Sequence, residues 1–168
     1  MATAAAAESP LWRAALRPAD EWHATPVFSP LGQERFALAI ETIYEGYLAH
    51  YGHPRLFAPN DADGALLLGD YLYAHGLVRV ASQGDVDAVA DLAALISLCA
   101  QLRGQGAGGD GVAWAATAAL LGNGELEAGR AALRLDGDPT VLAELAEEAA
   151  GPDAVARALA AHSARLAR

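Results

Sequence analysis

The chain has 168 residues and a mass of 17.3 kDa, a length that predicts one domain. Its 54% hydrophobic and 19% charged residues describe a core-forming chain rather than a disordered one. A net charge of −10 and a pI near 4.7 disfavour nucleic-acid binding, the single Cys99 excludes a disulfide framework, and no apolar run reaches the ~18–20 residues that cross a bilayer.

Alanine is about a quarter of the chain, and all eleven basic residues are arginine. Alanine is the strongest helix former, so the composition favours an all-α fold. Residues 1–9 read as a disordered tail. They carry no positive segment of the signal-peptide type, and the expected location is cytoplasmic. Residues 10–30 read as an arm. Leu11 to Arg17 forms a short helix stopped by Pro18. Trp22 and Phe28, set among prolines, pin the irregular remainder onto the body or onto a partner.

Residues 31–168 read as a single helical domain. The first long helix runs from Leu31 to His50, with Phe36, Ile40, Ile43, Tyr44, Tyr47 and Leu48 at helical spacing. Glu34, Glu41 and Glu45 fall largely off that stripe, and Gly52 and Pro54 end the helix. The next helix starts near Asn60 or Asp61, with Asn60 as its cap, and continues to Ala81. Gly84 breaks it and Asp85 caps a third helix, Val86 to Leu102. That helix is apolar on most faces, which predicts a central place in the core. Gly104 to Gly111 holds five glycines and reads as a flexible loop. Helices follow over Val112–Leu121 and Glu125–Leu135. Gly137 stops the second of these. A helix from Pro139 to Ala150 and a last one after Gly151 complete a compact bundle of about seven helices.

Few residues suggest chemistry. His50 and His53, with Glu41 and Glu45 upstream, make a carboxylate–imidazole metal site conceivable, but no Glu-x-x-His motif is present, and none is expected. His75 and His162 stand isolated. Cys99 reads as a buried small hydrophobe. The glycine-rich loop lacks the lysine of a phosphate loop and follows a helix rather than a strand. Tyr44, Tyr47 and Tyr51 share one helix face, and Tyr71 and Tyr73 lie on the next helix. Such tyrosines suit either an interface or a core with satisfied hydroxyls.

The stretch Ala65-Leu-Leu-Leu-Gly-Asp-Tyr-Leu-Tyr73 resembles the Gly-Asp-Tyr/Phe-Leu-Tyr/Phe helix of the trans-isoprenyl diphosphate synthases, the polyprenyl synthetase family. Upstream, Glu41 to His50 resembles the family helix ending in Leu-Leu-His-Asp-Asp. Downstream, Ser82 to Arg103 and Trp114-Ala-Ala-Thr-Ala118 resemble further family segments, so the similarity spans roughly residues 35 to 135. The departures fall on the chemistry. Tyr51 and Gly52 stand where the family carries its leading aspartates, Ala116 stands in place of its diphosphate-binding lysine, and no second aspartate-rich motif follows. Without those carboxylates the magnesium ions that grip the diphosphate have no site.

The resemblance therefore implies a pseudoenzyme with a partial isoprenoid-synthase-like fold and no cofactor or metal. It would serve as a small or regulatory subunit of a prenyl diphosphate synthase, as a homo- or hetero-oligomer. Gly46 and Tyr47, with His50 nearby, would match positions that set product length. The expected contact surface is Tyr71, Tyr73, Leu92, Leu95, Ile96 and Cys99. Two other readings stand beside it: a carrier of an apolar isoprenoid or quinone tail, and a structural subunit of a larger complex.

Overall fold

A computed structural model describes residues 2–166. Among them, nine α-helices and three 3₁₀ turns form an all-α bundle. The only β feature there is an isolated antiparallel bridge between Leu16 and Phe57. The helices are α1 (Ala2–Glu8), α2 (Pro10–Ala15), α3 (Ala37–Tyr51), α4 (Ala62–Ala81), α5 (Val86–Gln105), α6 (Asp110–Ala119), α7 (Glu127–Asp136), α8 (Thr140–Ala150) and α9 (Pro152–Leu166). No helix of the described residues is long and apolar enough to cross a membrane.

The segment expected as a disordered tail instead holds α1. Its run of alanines favours helix, and docking supplies what so short a helix lacks alone. Ala5 is buried in a small cluster with Trp12, Leu56, Phe57, Leu68 and Leu72. Glu8 accepts a hydrogen bond from the Tyr71 hydroxyl at 2.7 Å and contacts His75 at 3.0 Å. The first long helix starts later than its stripe suggests. Two 3₁₀ turns, Ser29–Leu31 and Glu34–Phe36, precede α3. Asp61, not Asn60, caps α4, its Oδ1 accepting from the Gly64 amide at 2.7 Å. Asp85 caps α5 as expected, through the Ala88 amide at 3.0 Å.

The α3–α4 pair is the backbone of the fold, and close approach is what makes it tight. A methyl group at Gly69 would fall 2.3 Å from His50 Nε2, and one at Gly76 would fall 2.2 Å from Ile43 Cγ1. The centre of the bundle belongs to α3 and α6, not to α5. On α6, Ala113 through Ala118 are all buried. α5 buries only the stripe Ala88, Asp91, Leu92, Leu95, Leu98, Cys99 and Leu102. Its other face carries Asp87, Ala90, Ala93, Ser97 and Ala100 and is exposed. Alanine satisfies a helical periodicity count but adds little area to bury, so an alanine-rich face sits at the surface at little cost.

The glycine-rich loop is shorter than expected. α5 runs on to Gln105 and ends at a left-handed Gly106, and α6 begins directly after a left-handed Gly109. Asp110, which reads as loop, is therefore the first residue of a helix. Pro139 occupies the cap of α8 rather than its first turn, while Pro152 opens α9. The last two residues of the chain lie outside the described range.

Candidate functional site

Two long helices end side by side and leave a gap. The C-terminal turns of α3 and α5, with the end of α9, frame an open cleft of about 610 Å³ lined by His50, Tyr51, Gly52, His53, Ala100, Arg103, Gly104 and Leu166. The chain turns sharply after α3 because Gly52 is pressed against α9: a methyl group there would lie 2.8 Å from the Arg165 carbonyl. The His53 amide donates to that same carbonyl at 3.0 Å, which ties the cleft rim to α9.

Arg103 is held from below. Its Nε donates to the Tyr47 hydroxyl oxygen at 2.8 Å, and its Nη2 donates to Asp110 Oδ2. The Tyr47 hydroxyl donates to the same carboxylate oxygen. His162 Nε2 lies 3.3 Å from it, and His162 Nδ1 lies 3.0 Å from the Tyr44 hydroxyl. One tautomer satisfies the whole series: Tyr44 donates to Nδ1, and the Nε2 proton faces Asp110. Phe28, Trp114 and the Tyr44 and Tyr47 rings enclose this relay, with Phe28 stacked on Trp114 at 5.5 Å between centroids.

The relay sets its own protonation. Burial alone would raise the Asp110 pKa, but hydrogen bonds from His162 and Tyr47 and the charge of Arg103 outweigh it. The carboxyl is held well below its ordinary range. Burial, then the hydrogen bond to Asp110, pushes Tyr47 far up, so its hydroxyl stays a donor. Burial works to lower the Arg103 pKa, but Tyr47 and Asp110 overcome it and keep the guanidinium charged. Burial also lowers His50, against the pull of Asp70. His50 Nε2 lies 3.3 Å from Asp70 Oδ1, an electrostatic contact without hydrogen-bond geometry.

The glutamates once conceivable as metal ligands are committed elsewhere. Glu41 Oε1 accepts the amides of Val27, Phe28 and Ser29 at 2.9, 3.0 and 2.9 Å. Its other oxygen pairs with Arg55. Glu45, fully buried, accepts from Arg55 Nε at 2.9 Å and from the Leu56 amide at 2.7 Å. Together they latch the arm and the α3–α4 connection onto α3. No cluster of His, Cys, Asp and Glu suited to a metal ion occurs among the described residues.

The structure separates the expected site residues. His50 lines the cleft. Gly46 and Tyr47 do not: Gly46 faces the Gly69 carbonyl of α4, and Tyr47 is fully buried under Arg103. Leu92, Leu95 and Cys99 are buried in the chain's own core. The reason is the stripe itself, since Leu92 and Leu95 are among the larger apolar side chains on α5 and Cys99, a small hydrophobe, shares their buried face. Burial pushes the Cys99 thiol well above its ordinary pKa, leaving it protonated. Ile96 and Tyr73 are half-buried against the main core, and Tyr71 packs on Trp12 at 5.2 Å between ring centroids.

Arg103, Asp110 and His162 are the residues that sequence reasoning passed over. Tyr44 and Tyr47 at i, i+3 gave one signal, because two buried hydroxyls demand partners. No family model, curated protein or solved structure matches the chain.

Proposed function

We propose that the protein is a noncatalytic, ligand-binding regulatory subunit whose ligand occupies the cleft above Arg103. The contrast between a filled interior and a polar cleft carries this reading. Phe28, Tyr44, Tyr47, Trp114 and His162 pack the centre of the bundle. The chemically equipped cavity lies outside that plug, with two histidines and an arginine in its lining. Pockets with a few convergent polar groups are where ligands bind.

A prenyl diphosphate synthase is the enzyme it would serve. That assignment rests on the residues resembling the isoprenyl synthases, and one packing detail favours it. Gly69, first of Gly-Asp-Tyr-Leu-Tyr, packs directly on His50, last of the upstream resembling segment. The two segments thus form one tight unit. The isoprenoid carrier reading draws less support, because the aromatic plug fills the space a hydrocarbon tail would need.

Gentle purification of the tagged protein from its host, with mass spectrometry of co-purifying proteins and small molecules, tests the proposal. A stoichiometric prenyl synthase, with a product distribution that shifts on reconstitution, supports it. A bound polyprenyl or quinone lipid with no protein partner favours the carrier. Recovery of an unrelated assembly overturns the synthase assignment and leaves a structural subunit.

A further inference from the structure

We infer that the cleft binds a small metabolite through an oxyanion, phosphate or carboxylate, gripped directly by Arg103 between His50 and His53. The inference rests on the reading of the cleft as a ligand site and names the chemistry it selects.

Charge distribution is the first ground. The chain carries a net −10, yet among the described residues no carboxylate belongs to the cleft lining, which instead holds His50, His53 and Arg103. A lining of nitrogen-bearing side chains suits an anion better than a cation.

Preorganisation is the second. Two edges of the Arg103 guanidinium are fixed, Nε on Tyr47 and Nη2 on Asp110, while Nη1 has no partner among the described residues. The Tyr47 ring also lies beneath it at 5.7 Å. An arginine held on two edges loses little freedom when the third meets an oxyanion. Asp110 neutralises much of its charge at a distance, so recognition depends on this direct contact rather than on long-range steering.

Room is the third. A methyl group at Gly104 would meet nothing within 4 Å among the described residues, so there is space beside Arg103 on α5. Ala100 and Leu166 give one wall an apolar surface for a carbon skeleton.

Titration calorimetry of the full chain against inorganic phosphate and, separately, succinate tests the inference. Saturable binding of either supports it. Phosphate alone identifies a phosphoryl ligand, and succinate alone identifies a dicarboxylate. Gly104→Glu sets a carboxylate beside Arg103, and like-charge juxtaposition should weaken binding about tenfold or more. Gly104 is exposed in the last turn of α5, and glutamate suits a helix better than glycine, so the variant keeps its fold. Amide spectra should place the largest shifts at Gly52, His53 and Gly104. Absence of saturable binding by both anions, or binding that survives Gly104→Glu, overturns the inference. If a neutral compound co-purifies and Gly104→Glu expels it, the oxyanion inference fails while the cleft remains a ligand site. If Gly104→Glu leaves every co-purifying compound in place, the cleft reading fails as well.

Discussion

Tyr47 does two jobs through one oxygen. It donates to Asp110 and accepts from Arg103, with its ring fully buried. Tyr47→Phe keeps the ring and removes both bonds, leaving a buried carboxylate short of a donor. The expected cost is about 1–3 kcal/mol in denaturant unfolding. The pH dependence should change with it. The folded Asp110 pKa is depressed, so its contribution is present above the ordinary carboxylate range and is lost as pH falls through the folded value. Without Tyr47 the depression shrinks, and the acid midpoint moves to higher pH. Unchanged stability and acid midpoint would show that the relay is slack. The tyrosine face of α3 was readable in the sequence. Its partners were not, because His162 sits 118 residues from Tyr44 and Asp110 sits 63 from Tyr47. An isolated histidine and an aspartate beside glycines carry no local sign of such a meeting.

Among the elements, α3 and α4 depend on what is missing between them. Gly76 admits the Ile43 side chain where a methyl group would overlap it. Gly76→Ala should therefore destabilise by about 1–3 kcal/mol through overpacking, although alanine is the better helix former. A combined Gly76→Ala, Ile43→Val variant should recover part of the loss. A Gly76→Ala protein as stable as its parent would mean that the helices separate freely. Helix positions were largely legible, since Asp85, Gly137 and Pro152 mark real boundaries. The depth of each helix was not. α5 reads as apolar all round only if alanine counts like leucine, and the area that drives burial does not follow that count. Glu41 and Glu45 misled for the opposite reason. They fall off the apolar stripe, yet they are drawn inward by Arg55 and by backbone amides no pattern reveals.

At the scale of the whole molecule, burial raises the pKa of Tyr44, Tyr47, Tyr51 and Tyr73, and of Cys99. Tyr71, aided by Glu8 after burial, is pushed up to about 12. For each group the folded pKa exceeds the unfolded one, so its contribution is present below about pH 10 for tyrosine and is lost as pH climbs through the folded value. Unfolding in alkali should therefore be cooperative, with tyrosinate absorbance appearing together with loss of helical circular dichroism. Complete tyrosine ionisation near pH 10 with the helices intact would contradict the packing of the aromatic plug.

The Glu41 latch also settles where the folding unit begins. Three consecutive amides outside any α-helix close on one carboxylate, and they carry Phe28 into the middle of the plug. The irregular stretch ahead of α3 looks dispensable, but trimming the protein at Pro30 would extract an aromatic ring from between Tyr44 and Trp114. It would also strip the inward-facing Glu41 of three amide donors, leaving its Arg55 pair. The shortest version able to stand alone thus starts well upstream of the first long helix, and any fusion or swap drawn at that helix cuts through the core.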